Sequence, residues 1–174
     1  MKLLLLDKDG TLTIPHSGKA FPEEAWDQSP ILGVKEAIGR YRAKGFMPII
    51  ISNQGGVERG YKSLEECKAE MRYAMLLFPE IKEAFFCPNF AGSDCWRIWG
   101  KGSDYEILYN ADSWTVQQLD IINQFRKPYP GMLKLACDVH GADEAIFVGD
   151  RKEDEQAASA AGIDFLWADD WVKS

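Results

Sequence analysis

A chain of 174 residues, 46% apolar and 27% charged, is sized for one soluble domain around one sizeable core. Its formal net charge of −7 argues against a broad, non-specific grip on nucleic acid, which relies on many Lys and Arg contacts to phosphate, but leaves room for a local basic groove. No apolar run approaches a membrane span, and the amino terminus lacks the basic start, long apolar region and small-residue cleavage site of a signal peptide, so a cytoplasmic protein without membrane contact is expected.

Lys2 to Leu6 reads as a strand, because Leu3 to Leu6 form a short apolar run of the kind buried inside a parallel sheet. The run leads directly into Asp7-Lys8-Asp9-Gly10-Thr11. A strand that ends in two acids presents them at the carboxyl edge of a sheet, where open α/β folds hold their ligands. Two such close carboxylates repel each other; a divalent cation relieves the repulsion and leaves a nucleophile beside a proton carrier. A solvated strand end with an ordinary Asp-Gly turn is the plainer alternative for this segment taken alone.

Leu12 to Asp27 is irregular, holds His16-Ser17-Gly18-Lys19 and two prolines, and is expected as a flap over the site. Ile31, Val34, Ala37, Ile38 and Tyr41 follow helical spacing, with Gly45 at the expected stop. Phe46 to Ile51 reads as a second strand, although Pro48 is awkward for a central one. Ser63 and Glu66 form a capping box that opens a helix running to about Phe78. Its stripe of Leu64, Met71, Met75 and Phe78 faces the core. Ala84 to Cys87 is a third strand.

Residues 88–125 are the least regular part, rich in Trp and Tyr with interspersed Gly. A connection this long is functional or carries its own structure. We expect an insertion standing over the sheet edge, with a helix between Ser113 and Phe125; its aromatics either pack on the core or stack on a ring or base. Pro130 and Gly141 bracket a further helix. Ala145 to Val148 is a fourth strand ending in Gly149-Asp150, Glu155 to Ala161 a helix stopped by Gly162, and Asp164 to Trp167 a fifth strand. Repeated strand–helix units imply a single α/β domain over residues 1–174, a Rossmann-like parallel sheet with helices on both faces.

Three segments join Asp7 and Asp9 as candidates for one site. Ser52-Asn53-Gln54-Gly55-Gly56 after the second strand offers a hydroxyl and glycine amides suited to a phosphate, with a plain turn as the rival. Arg126 and Lys127 stand in a loop whose path is fixed by prolines, and both suit phosphoryl oxygens unless they are an ordinary surface pair. Asp150 abuts a strand and Asp154 follows four residues later. Oxygen donors of this kind suit Mg²⁺, while acids at a helix start also suit the helix alone. Cys67, Cys87, Cys95 and Cys137 form no CxxC pair and are expected to be reduced thiols. Cys87 and Cys95 could share a zinc ion, but a closed site needs four ligands and neither His16 nor His140 is near in sequence.

These four segments in this order resemble the haloacid dehalogenase superfamily of phosphohydrolases, over nearly the whole chain. The DKDGT sequence from Asp7 matches its DxDGT-type first motif, Ser52 the second, Lys127 the third, and Gly149-Asp150 through Asp154 the acidic fourth. The resemblance implies a Mg²⁺-dependent phosphomonoesterase. In it Asp7 is phosphorylated, Asp9 is the acid and base, and Ser52 and Lys127 bind the phosphoryl group. Asp7, the Asp9 main-chain carbonyl and Asp150 hold the metal with Asp154 in support, and Asn53, Gln54 and Arg126 set substrate fit. Residues 53–60, RKPYPGML from Arg126 and GDRKEDEQAA from Gly149 are similar to histidinol-phosphate and heptose-bisphosphate phosphatases. That group's zinc loop, a CxH start and a CxC before the RKP, is missing or rebuilt here: Pro88-Asn89 follow Cys87, and Asn123-Gln124-Phe125 precede Arg126.

DGTLTIPHSGKAFP, from Asp9, instead resembles the 3′-phosphatase domain of polynucleotide kinases, which implies His16, Ser17 and Lys19 near the substrate. The expected partner is thus a phosphorylated small molecule or a 3′-phosphorylated nucleic-acid end, with no obligate protein partner. The stretch from Leu12 to Ser52 is too short for a large cap domain. A module that binds phospho-ligands without catalysis is the alternative, and it would not need both Asp7 and Asp9.

Overall fold

The computed structural model describes residues 1–100, 105–113 and 119–174. In chain order the elements are β1 (Lys2–Leu6), β2 (Thr13–Ile14), β3 (Ser29–Pro30), α1 (Val34–Ala43), β4 (Phe46–Asn53), α2 (Leu64–Leu77), β5 (Glu83–Cys87), β6 (Cys95–Trp99), β7 (Tyr105–Tyr109), α3 (Gly131–His140), β8 (Glu144–Gly149), α4 (Lys152–Ala161), β9 (Asp164–Trp167) and α5 (Ala168–Trp171).

A sheet ordered β7-β6-β5-β4-β1-β8-β9 forms the middle layer. From β5 to β9 every pairing is parallel. The alternation of β1 decides the layering. Leu4 and Leu6 face one way with Ile50, Phe86 and Val148, onto residues of α1, α2 and α5. Leu3 and Leu5 face the other way with Ile49, Ile51 and Phe147, onto residues of α3 and α4. All four leucines are fully buried. Truncating any one to Ala removes apolar burial and leaves a cavity, a cost of about 2–5 kcal/mol.

Local chemistry agrees with the sequence at several ends. Ser63 Oγ accepts from the Glu66 amide and the Glu66 carboxylate accepts from the Ser63 amide, closing the capping box of α2. Gly141 and Gly162 end α3 and α4 in the left-handed conformation. Pro48 is tolerated because β5 pairs with β4 only from Ile50 onward, so among the described residues β1 is the strand that pairs with β4 near Pro48.

Three expectations need correction. Residues 88–125 do not stand over its edge: β6 and β7 run antiparallel beside β5 and extend the sheet sideways. Ion pairs from Lys68 of α2 and Arg72 to Glu106 of β7 tie this extension to the helical layer, and Lys68 Nζ lies 4.0 Å from the Trp96 ring centre. The helix expected between Ser113 and Phe125 falls partly on residues 114–118, which lie outside the described ones; residues 119–121 form a single 3₁₀ turn, and Asn123 has a left-handed φ of 61° that ends any helical run. The flap is also more ordered than expected. β2 and β3 pair as a short ribbon, and the Asp27 carboxylate accepts from Ser17 N at 2.6 Å, Ser17 Oγ at 2.7 Å and Glu23 N at 3.0 Å.

Candidate active site

Strands β4, β1 and β8 are consecutive in the sheet, so their carboxyl ends share one edge. Asp7 follows β1, Ser52 and Asn53 end β4, and Asp150 follows β8. The Asp7 amide donates to the Val148 carbonyl at 2.9 Å, which carries the β1–β8 ladder one residue further and fixes Asp7 beside Asp150. Asp7, Asp150 and Asp154 each present a carboxylate oxygen within 4.8 Å of the others. Lys127 Nζ lies 2.7 Å from Asp7 Oδ1, 2.7 Å from Asp154 Oδ1 and 3.3 Å from the Ile51 carbonyl. Thr11 Oγ1 lies 3.3 Å from Asp7 Oδ2 and 3.5 Å from Asp150 Oδ1.

Two glycines make room for this cluster. Gly10 has φ +85°, and a Cβ there would lie 2.2 Å from Asp150 Oδ2. A Cβ on Gly149 would lie 2.4 Å from Asp154 Cβ. Glycine is therefore required at both positions by close approach, and at Gly10 by conformation as well.

Burial pushes the Asp7 carboxyl up to about 7; Lys127 opposes the rise and Asp154 adds to it. Burial also raises Asp150, with Asp154 repulsion contributing. For Lys127, burial acts downward but the charges of Asp7 and Asp154 outweigh it, so the ammonium is held above its ordinary value. One ammonium among three carboxylates leaves an excess of negative charge, to which the Asp154 repulsion on Asp7 belongs, while burial is the larger cause of the Asp7 rise. Hard oxygen donors with an unrelieved negative excess fit Mg²⁺. Asp154 is the most committed of the three, since its Oδ2 also accepts from the Arg151 amide at 3.1 Å.

Asp9 sits apart from this triad. Its Oδ1 is paired with Lys8 Nζ, and its Oδ2 accepts from Gln54 Nε2 at 2.9 Å. Burial acts upward on Asp9, but Lys8, Lys62 and Gln54 outweigh it and hold the carboxyl below its ordinary value. Ser52 Oγ accepts from Gln54 Nε2 at 2.8 Å. The Asn53 amide group is engaged with the Lys127 backbone in both directions, at 3.0 Å each, and so clamps the loop that delivers Lys127.

A pocket of about 290 Å³ opens in front of Asp7 and Asp9. Arg59, Arg126 and Arg151 line it together with Phe21, Tyr61 and Phe90. The Phe90 ring centre lies 5.0 Å from the Arg59 guanidinium and 4.6 Å from that of Arg126, and Arg126 Nη1 is buried without a hydrogen-bond partner among the described residues. His16, Ser17 and Lys19 bond instead within the flap and its base, to Ser29, Asp27 and Glu23. Phe21 and Pro22 are the flap residues that reach the pocket.

Sequence reasoning missed Lys8, Arg59, Lys62, Glu70 and Phe90. Lys8 had a signal: it continues the alternation of Leu4 and Leu6 and so points under α1 and α2, where its side chain is fully buried. Glu70 and Lys62 had none, because their pairing depends on where α2 crosses the sheet.

A family model described as polynucleotide kinase 3 phosphatase matches residues 2–171. The D-glycero-beta-D-manno-heptose-1,7-bisphosphate 7-phosphatase of Haemophilus ducreyi is 27% identical over 170 residues, covering 93% of this chain and 79% of that protein. The enzyme of the same name from Pseudomonas putida is 29% identical over 170 residues, with the same coverages. Among solved structures, D,D-heptose 1,7-bisphosphate phosphatase from B. bronchiseptica, complexed with magnesium and phosphate, superposes with a TM-score of 0.63 at 24% identity, covering 95% of this chain and 79% of that one. A HAD-like phosphatase from Mesorhizobium loti superposes with a TM-score of 0.64 at 25% identity, covering 94% and 69%.

Proposed function

The chain belongs to the polynucleotide kinase 3 phosphatase family, within the haloacid dehalogenase phosphatases, and is a phosphoric monoester hydrolase; from this we infer a Mg²⁺-dependent reaction through an aspartyl-phosphate on Asp7. One observation carries the reading: Asp7 after β1, Asp150 after β8 and Asp154 in the first turn of α4 converge within 4.8 Å, with Lys127 among them. Asp7 and Asp150, with the Asp9 main-chain carbonyl, would hold Mg²⁺, and Asp154 supports them. When bound, Mg²⁺ supplies positive charge for the phosphoryl oxygens and offsets the carboxylates.

The chain's own groups do the rest. An Asp7 oxygen attacks phosphorus in line with the ester oxygen; the new O–P bond forms as the old one breaks. Asp9, ionised in the free site, takes up the proton that a phosphomonoester monoanion carries in, passes it to the departing oxygen, and then takes one from the water that attacks phosphorus and frees Asp7. Lys127 and Ser52 bind the transferring oxygens, where charge develops. Asn53 orients Lys127, Gln54 orients Asp9, and Arg126 contacts the rest of the substrate. The domain acts as one unit, in a reducing, cytoplasmic setting consistent with four free thiols.

The substrate we favour is a phosphorylated small molecule of the sugar-phosphate type, in keeping with the names of the relatives and a pocket of this size. A 3′-phosphorylated polynucleotide end is the second reading. It is supported by the exposed Phe21, Tyr61 and Phe90 beside Arg59 and Arg126, a surface on which bases stack. Purified protein assayed against p-nitrophenyl phosphate, sugar phosphates, histidinol phosphate and 3′-phosphorylated oligonucleotides, with Mg²⁺ and with EDTA, tests both. The expected result is Mg²⁺-dependent phosphate release, abolished by EDTA, with the highest kcat/KM on a sugar phosphate. Release unaffected by EDTA removes the metal from the mechanism, and a preference for the oligonucleotide selects the second reading.

A further inference from the structure

Five side chains form a closed ring at the pocket wall: Asp9, Gln54 and Lys62 line the pocket, and the buried Lys8 and Glu70 do not. Lys8 Nζ meets Asp9 Oδ1 and lies 3.9 Å from Glu70 Oε2. Lys62 Nζ is bound by both Glu70 oxygens, at 2.9 and 2.8 Å, and donates to Gln54 Oε1 at 3.0 Å. Gln54 Nε2 returns to Asp9 Oδ2 at 2.9 Å. Glu70 is 3% exposed, Lys8 is fully buried, and Lys62 is largely covered. Gln28 closes the ring from outside: its Nε2 donates to the Glu70 carbonyl at 3.0 Å and its Oε1 lies 3.4 Å from Lys8 Nζ.

We propose that Glu70, in the second turn of α2, is a positioning residue for Asp9: by holding Lys8, and through Lys62 also Gln54, it sets the two donors that fix both oxygens of the proton carrier. The proposal rests on the proton-transfer role given to Asp9 above and extends it to a helix that does not touch the reacting atoms. The physical case is one of satisfied partners. Two lysines and two carboxylates balance in charge, and at the buried Lys8 and Glu70 an unmatched charge costs several kcal/mol. Asp9 therefore cannot leave its orientation without unpairing a neighbour, and Glu70 holds Lys62 on Gln54 and away from Asp9 while it shares Lys8 with it. Neutralising Glu70 leaves Asp9 as the one carboxylate of the ring, so Lys62 is released from Glu70 toward it, joins Lys8, and draws it away from the departing oxygen. A polar ring of this kind acts as a unit, so loss of one member is felt at the others.

The test is leaving-group dependence. Phenyl phosphate and p-nitrophenyl phosphate are close in shape, but phenolate is much the poorer leaving group and needs the proton from Asp9. In Glu70→Gln, kcat/KM on phenyl phosphate should fall on the order of tenfold, the low end of what an outer partner of an active-site group costs. On p-nitrophenyl phosphate the fall should be several times smaller. Glu70→Asp, which keeps the buried charge, should show the same preference more weakly, and it carries the comparison if the Gln variant does not fold. Equal losses on both esters, or no loss, overturn the proposal, because a purely structural defect lowers both alike. Asp9→Asn is the control for the underlying reading. It should lose about a hundredfold or more on phenyl phosphate and markedly less on the nitro ester. If Asp9→Asn loses both equally, the proton-carrier role fails and the proposal falls with it. A normal Asp9→Asn pattern with an indifferent Glu70→Gln fails the proposal alone.

Discussion

Replacing Lys127 with Met keeps most of the side chain's length and its apolar stem and removes its charge. Each of the two contacts at 2.7 Å, to Asp7 and to Asp154, is worth about 6 kcal/mol of gross Coulomb attraction at an effective dielectric of about 20. Most of that offsets the cost of burying an ammonium that is 4% exposed, so the gross figure is not the loss to expect. What remains is a set of carboxylates stranded without their counter-ion. Breaking a buried pair from one side costs about 3–5 kcal/mol, which at this chain length lowers the melting temperature by roughly 10 °C.

Urea unfolding without metal should show that loss. Mg²⁺ should restore more stability to Lys127→Met than to the parent, since the variant has lost the ammonium that bridges Asp7 and Asp154. Turnover should fall on the order of a hundredfold or more even with saturating Mg²⁺, because the charge proposed to meet the phosphoryl oxygens is gone. A variant that unfolds within about 1 kcal/mol of the parent without metal, and turns over within about threefold of it, refutes the electrostatic reasoning about this site.

Asp7, raised to about 7, should make the metal-free protein less stable as pH climbs from the ordinary 3.8 toward that value, since the folded form holds the proton longer than the unfolded one. Mg²⁺ competes with that proton, so the rise in melting temperature at one fixed Mg²⁺ concentration should be larger near pH 8 than near pH 5.5; a shift independent of pH counts against Asp7 as a ligand. Gly10→Ala combines φ +85° with a Cβ 2.2 Å from Asp150 Oδ2, so it should weaken Mg²⁺ binding measured by calorimetry; unchanged affinity shows that the loop relaxes without moving Asp150. Ser63→Ala removes one half of the α2 capping box and should cost about 1 kcal/mol in urea unfolding while leaving kcat unchanged.

How far the sequence reveals this molecule depends on the range of the forces involved. The apolar run of Leu3 to Leu6, the capping box at Ser63 and the glycine stops at Gly141 and Gly162 are local signals, and the structure follows each of them. Asp7, Asp150, Asp154 and Lys127 are legible because they stand next to strand ends or in a loop of distinctive chemistry, and parallel topology then brings strand ends together. Asn53 is legible as a candidate, but its side chain is turned to the Lys127 backbone, a detail set by a contact 74 residues away in sequence.

Residues 88–125 resist such reading because antiparallel pairing of β6 with β5 leaves no periodicity distinct from that of an aromatic loop. Strand Trp96-Arg97-Ile98-Trp99 also mixes charge and apolar residues in a way that only its neighbours, Lys68 on one side and Glu83 on the other, make intelligible. The ring of Lys8, Glu70, Lys62 and Gln54 is out of reach for the same reason: its members come from separate segments, and no spacing rule links them.

Phosphorylation of Asp7 is the central event of the proposed mechanism, and acid quenching measures it directly. Protein mixed with Mg²⁺ and a ³²P-labelled phosphomonoester, then stopped within one turnover, should carry label that hydroxylamine removes, as it does from an acyl phosphate, and Asp7→Asn should carry none. Label that persists in Asp7→Asn, or steady phosphate release from that variant at a rate near the parent's, contradicts the mechanism.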